Sequence, residues 1–126
     1  MSWQVYVDSN LVGSGKVTKA AILGQQGGVW ATTPGFTIAA DEQKYICNMF
    51  NDVNNTQANG VRIGGTKYFA ISVDPKHCVG KQGPNGCDIR KTKQAIIVAV
   101  YNAPIQAPEC TNVVEGVADY LESTNY

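Results

Sequence analysis

The chain of 126 residues contains one histidine, His77, set in a basic stretch. A histidine-based metal site or catalytic pair would have to borrow scattered partners, and a lone imidazole in such surroundings reads as structural or solvated. No G-x-S-x-G nucleophile elbow occurs. Gly60 and Gly65 have phosphate-loop spacing, but Thr66-Lys67 follows in reversed order, in a turn between strands. Without a lysine opening a helix, that loop cannot cradle phosphates. Gly13-Ser14-Gly15 follows a helix rather than a strand, so it is no dinucleotide fingerprint. The four cysteines (Cys47, Cys78, Cys87, Cys110) form no C-x-x-C pair and are irregularly spaced, which reads as reduced thiols. A two-residue hairpin turn at Pro84-Asn85 would set Cys78 opposite Lys91, not Cys87, which argues against a disulfide there. Long apolar runs are missing too. The longest, residues 95–101, is far too short to span a bilayer, and no basic-then-apolar leader opens the chain. Ten basic and ten acidic residues cancel, so overall charge gives no reason to bind nucleic acid. These absences point away from enzymes, metalloproteins and cofactor carriers, and towards a cytoplasmic, monomeric binding protein.

What is present describes one globular domain over 1–126, with 44% hydrophobic and 16% charged residues. Charge is unevenly distributed. Residues 62–93 hold seven basic groups (Arg62, Lys67, Lys76, Lys81, Arg90, Lys91, Lys93) against Asp74 and Asp88. Residues 94–126 hold Glu109, Glu115, Asp119 and Glu122 and no basic group, a pattern that hints at a basic patch facing an anionic partner.

The chain opens Ser2-Trp3-Gln4-Val5-Tyr6-Val7-Asp8, with Ser2 as N-cap and Gly13-Ser14-Gly15 as stop, which predicts a helix over roughly residues 3–12. Trp3 and Tyr6 share one side of it, and Val7 and Leu11 make a second apolar line. Residues 17–23 and 29–33 read as a hairpin, and Asp41-Glu42 opens a short helix carrying Tyr45, Ile46, Met49 and Phe50. Residues 51–59 read as an Asn-rich loop, with an Asn54-Asn55-Thr56 glycosylation signal that means little without secretion. Strands follow at 61–63 and 67–73, a hairpin at 76–93, and a central apolar strand at 94–101. Residues 102–108 read as a proline-interrupted loop. Asn112 then caps a last helix, with Glu115 at N3 and a buried stripe of Val113, Val114, Val117, Ala118 and Leu121. Repeated short hairpins with helices packed on them predict an α+β domain.

The opening S-W-Q-x-Y-V-D and the closing V-V-E-x-x-x-D-Y-L resemble the profilin family, small proteins that bind actin monomers. A-A-I-L-G (20–24), V-W-A (29–31), G-G-T-K-Y (64–68), V-G-K-Q-G (79–83) and K-T-K-Q-A-I-I-V-A-V-Y (91–101) extend the likeness over nearly the whole chain. The resemblance implies a central antiparallel sheet with the N- and C-terminal helices on one face and shorter helices on the other. It also implies a polyproline groove built from Trp3, Tyr6, Trp30, Tyr120 and Tyr126, with Leu121 completing an apolar floor. Flat aromatic rings pack well on the rings of a preformed polyproline II ligand, which loses little entropy on binding. The implied actin surface matches Lys67, Ser72, Lys81, Arg90, Gln106, Asn112 and Gly116. Three departures stand there: Gln82 where the family pairs lysines, Gln106-Ala107-Pro108-Glu109 in the last loop, and Gly116 where a basic residue often follows V-V-E. Each removes positive charge or alters a loop, so weaker actin binding is expected. The implied partners are monomeric actin, proline-rich proteins such as formin-type actin nucleators, and phosphoinositide lipids met by basic residues between Arg62 and Lys93. The alternative is a polyproline- or phosphoinositide-binding module of the same fold with weak or lost actin binding.

Overall fold

Seven strands pair antiparallel throughout in the order β2-β1-β7-β6-β5-β4-β3, as described by a computed structural model over residues 3–126. The strands are β1 (Lys19–Gly24), β2 (Val29–Thr32), β3 (Val61–Ile63), β4 (Thr66–Val73), β5 (His77–Gln82), β6 (Asn85–Lys91) and β7 (Ala95–Tyr101). β7 pairs with β1 and β6, and every one of its residues is buried, because both sheet faces are covered there. On one face Ala95, Ile97, Ala99 and Tyr101 meet the terminal helices; on the other Ile96, Val98 and Val100 meet Phe36, Ile46, Met49 and Phe50. That alternation is the two-residue side-chain period of a strand.

The N-terminal helix departs from the expected geometry. It is α-helical only over Trp3–Val5, is π-wound over Tyr6–Leu11 and tightens to 3₁₀ over Val12–Ser14. Gly15 then ends it at φ 78°, as the Gly-Ser-Gly signal predicts, and the Ser14 hydroxyl donates to the Leu11 carbonyl at 2.6 Å. Wider π winding changes the residues per turn, yet Tyr6, Val7 and Leu11 all remain buried. The expected cap, Ser2, lies outside the described residues.

Three local expectations need correction. Residues 51–59 are not a loop, since Val53–Asn59 form a helix, α3. Asp52 caps it, accepting the Asn55 N–H at 3.1 Å, and the buried Thr56 hydroxyl donates to Met49 O at 2.9 Å. A cap and a buried anchor outweigh the weak helix propensity of asparagine. The β5–β6 turn is Gly83-Pro84, not Pro84-Asn85, so Gln82 faces Asn85 and Cys78 faces Ile89. A tight hairpin turn needs positive φ at its first central residue; Gly83 supplies 61°, which proline cannot. The last helix, α4 (Ala107–Ser123), is capped by Gln106, six residues before the Asn112 cap expected for it. Pro108 is harmless in a first turn because its missing N–H would be unpaired anyway, and Glu109 reaches back to the Gln106 N–H at 3.0 Å. The remaining helix, α2 (Ala40–Asn48), starts at the predicted acidic pair; buried Glu42 accepts from Ala39, Gly64 and Gly65 N–H and ties helix to turn.

Among the described residues all four cysteines are unpaired. Burial pushes the Cys78 and Cys110 thiols up to about 12, and Cys87 well above its ordinary range. Among the described residues no helix is long and apolar enough to cross a membrane, and no cluster of His, Cys, Asp or Glu is placed to hold a metal ion.

Candidate functional site

Between the terminal helices lies a row of aromatic rings. The centroid of Trp3 is 4.8 Å from Trp30, 5.7 Å from Tyr6 and 5.0 Å from Tyr126, and Tyr6 is 6.0 Å from Tyr120. All four distances are within the 4.5–7 Å range of favourable ring contact. Trp30, Tyr120 and Tyr126 remain exposed and Trp3 is half-buried, so the row presents ring faces and edges to solvent. Leu121 is 1% exposed; it supports the rings from beneath and lies out of a ligand's reach.

Each ring is held by a separate device. Gln4 donates to the Thr32 carbonyl at 2.8 Å and fastens the N-terminal helix to β2, the strand carrying Trp30. Trp30 packs against Gly24, where a Cβ would come 2.7 Å from its indole nitrogen. Tyr126 is latched through its main chain: its carbonyl accepts from the Thr92 hydroxyl at 2.6 Å and from Gln94 N–H at 2.5 Å, while its N–H donates to Leu121 O at 2.8 Å. Asn125, at φ 71°, makes the left-handed turn that brings it there. Burial raises the Tyr6 phenol above its ordinary range, and its hydrogen bond with Tyr120 adds to the shift. Gly24 and Thr92 are supports that reading the sequence did not single out. Both act through a neighbour distant in the chain, and no local pattern marks them.

The residues expected on a second surface divide. Lys67, Ser72 and Lys81 lie on β4 and β5, where Phe69 pairs with Lys81 and Ser72 with Val79. Alternation puts this strip on the face that carries the terminal helices, beyond their reach. It also exposes two residues that sequence reasoning missed, Phe69 at 66% and Ile71 at 58%. β4 is apolar at both odd and even positions, so its buried side was not legible. Lys67 sits 5.9 Å over the Phe69 ring, and Lys81 5.7 Å over Tyr101. Gln106 caps α4, and Asn112 and Gly116 line the opposite flank of that helix, next to Tyr6 and Tyr120.

Arg90 does not belong to an open basic patch. It is 9% exposed and bonds Glu115 at 3.2 Å and Glu122 at 3.0 Å, with Asp119 at 4.0 Å. Lys16 pairs with Glu109 at 2.6 Å. The four acidic groups of residues 94–126 are therefore matched by Arg90 and Lys16, while of the seven basic groups in residues 62–93 Arg90 alone takes part in that pairing. Beside Arg90, the buried Asp88 carboxylate binds His77 Nε2 at 2.7 Å and accepts from the Thr111 hydroxyl at 2.6 Å. That hydrogen bond raises the His77 pKa against an opposing desolvation effect.

An antiparallel seven-stranded sheet, two terminal helices on one face and an aromatic row between them define a small binding protein with a ring-lined groove. The profilin family model matches residues 1–126, and the chain belongs to the profilin family, actin-binding regulators of the cytoskeleton. It is 46% identical to Profilin-2 of Acanthamoeba castellanii over 121 residues, 96% of each chain. The crystal structure of Acanthamoeba castellanii profilin II superposes with a TM-score of 0.96 at 43% identity, covering 99% of this chain and 100% of that one. Mouse profilin IIa, solved in complex with a double repeat from the FH1 domain of mDia1, shares the fold with a TM-score of 0.81 at 23% identity over 100% of both chains.

Proposed function

We propose that this chain binds proline-rich segments in the groove of Trp3, Tyr6, Trp30, Tyr120 and Tyr126, and monomeric actin on a separate surface. The row of closely spaced, partly exposed rings carries the reading. Proline offers no N–H, so its segments are recognised through ring packing and through donors that meet their carbonyls; the Trp N–H and Tyr O–H groups supply those donors. The mouse neighbour's FH1 ligand supports this ligand class by analogy of fold. Occupancy of both surfaces at once would let the protein carry actin in the cytoplasm to filament-building machinery. No covalent reaction is involved.

For actin, Lys67, Ser72 and Lys81 with the apolar pair Phe69 and Ile71 make the stronger candidate surface, since Arg90 is spent on α4. A phosphoinositide headgroup is a weaker second reading. Arg62 and Lys67 line an open cleft of about 330 Å³, but Asp41 and Glu42 line it too and would repel phosphate.

Titration with poly-L-proline, followed by tryptophan fluorescence, tests the groove. Saturation is expected, and an unchanged signal up to millimolar proline in a folded protein would sink the assignment. Sedimentation with monomeric actin tests the second surface: sequestration is expected, and it should weaken when Phe69→Ser and Ile71→Ser are combined.

A further inference from the structure

Antiparallel pairing gathers residues from five strands at the end of the sheet where β1 begins. Lys19 opens β1, Thr66 opens β4, Asn85 opens β6, Gln82 closes β5 and Asn102 follows β7. With Thr37 they wall a cleft of about 360 Å³. Its floor is Phe36, Ile63, Tyr68 and Val100, all buried in the core on the face opposite the terminal helices. The cleft therefore lies apart from the aromatic row and from the exposed strip of Phe69 and Ile71.

Backbone donors around it are already used. Gly64 N–H meets Glu42 at 3.0 Å, Asn102 N–H meets Thr18 Oγ1 at 2.9 Å, and Ala103 N–H meets Asn85 Oδ1 at 3.1 Å. The side chains are not. Among the described residues the Lys19 ammonium has no ion-pair partner, and the side chains of Thr37, Thr66, Gln82 and Asn102 make no hydrogen bond within the protein. Asn85 keeps its amide N–H groups, and no carboxylate lines the space among the described residues. Amides and hydroxyls both donate and accept, which suits a ligand whose own hydroxyls do the same. An apolar floor with two aromatic rings suits the C–H face of a sugar ring. One ammonium, without a second cation or a nest of free backbone N–H groups, suits a single carboxylate and falls short of what a phosphorylated ring needs. The volume lies at the lower end for small-molecule sites, enough for one ring. We infer that the cleft binds a monosaccharide carrying one carboxylate, of the uronic-acid class. Lys19 meets the carboxylate, and the amides of Gln82, Asn85 and Asn102 and the hydroxyls of Thr37 and Thr66 meet the ring hydroxyls.

The test titrates D-glucuronate, D-glucose, acetate and inositol trisphosphate separately into the isotopically labelled full chain, with NMR following the side-chain amide signals of Gln82, Asn85 and Asn102. Glucuronate should shift these signals saturably, with a Kd on the order of a millimolar for a ligand of about a dozen heavy atoms. Glucose should bind roughly three- to fivefold more weakly, the contribution of an exposed ion pair. Lys19→Met should bring glucuronate down to the glucose level. Poly-L-proline affinity should stay unchanged when the cleft is saturated. Absence of a saturable shift up to about 50 mM glucuronate in the folded chain overturns the site. Acetate matching glucuronate overturns the sugar, and tighter binding of the trisphosphate at the same amides overturns the single carboxylate. A glucuronate-over-glucose ratio that persists in folded Lys19→Met overturns the part given to Lys19.

Discussion

The two flanks of α4 do opposite things. One flank carries Asn112, Gly116 and Tyr120 and borders the N-terminal helix across an open apolar cleft. The other carries Thr111, Glu115, Asp119 and Glu122 and is closed by Asp88 and Arg90 of β6. The open flank keeps aromatic surface wet, which a protein tolerates where a partner will cover it. The closed flank uses its polar groups on its own sheet, so little remains for a ligand. Arg90 and the acidic residues of α4, which look like parts of a charged surface in the sequence, are here a clasp, and the rings that look like core are the proposed recognition surface.

The largest expected effect comes from breaking the open side. Trp3→Ala removes the ring that touches Tyr6, Trp30 and Tyr126, and should weaken polyproline binding by about 2 kcal/mol or more, roughly 30-fold, as for an interface anchor. Fluorescence-independent calorimetry would measure it; a loss under threefold would mean that the row is not the site. Breaking the closed side should register in stability instead. Arg90→Ala takes the guanidinium from Glu122 and leaves Glu115 with His77 at 3.9 Å, and because both carboxylates are partly solvated the cost should be about 1–3 kcal/mol in urea unfolding.

Smaller changes sharpen the contrast. Thr92→Val removes the hydroxyl that holds the Tyr126 carbonyl, at a net cost of about 1 kcal/mol, and should weaken polyproline binding several-fold by loosening that ring. Rescue by Thr92→Ser would separate the latch from simple loss of packing. The smallest effect is pH-dependent. The His77 pKa is raised in the folded state by its bond to Asp88, with Glu115 and Asp74 nearby in support. Its stabilisation is therefore fully present below the ordinary histidine value of 6.5 and is lost as pH rises through the higher folded value. Unfolding free energy between about pH 6 and pH 8 should fall more steeply in the unmodified chain than in His77→Gln. Parallel slopes would show that the pair contributes nothing.

Most elements were readable because hairpin turns, strand alternation and helical stripes are local. β7 was recognisable as central from its unbroken apolar run, and β1–β2 from the glycine turn between them. The errors were also local, and each had a competitor: a glycine that had to take the positive-φ position at Gly83, a proline that starts a helix at Pro108, and an N-cap at Asp52. Site residues were legible only through family resemblance, since Trp3, Trp30 and Tyr126 are far apart in the chain.

The sequence alone determined the strand count and the antiparallel class, because periodicity and turn chemistry act over a few residues; the five rings were named by family resemblance, not by periodicity. Only the tertiary structure decided which charges were already matched. Arg90 meets Glu115 and Glu122 across 25 and 32 residues of chain. It also decided which apolar residues stay wet, since Phe69 is exposed and Tyr68 buried although the two are adjacent. Burial depends on what packs above a strand or beside a helix, and that neighbour comes from elsewhere in the chain.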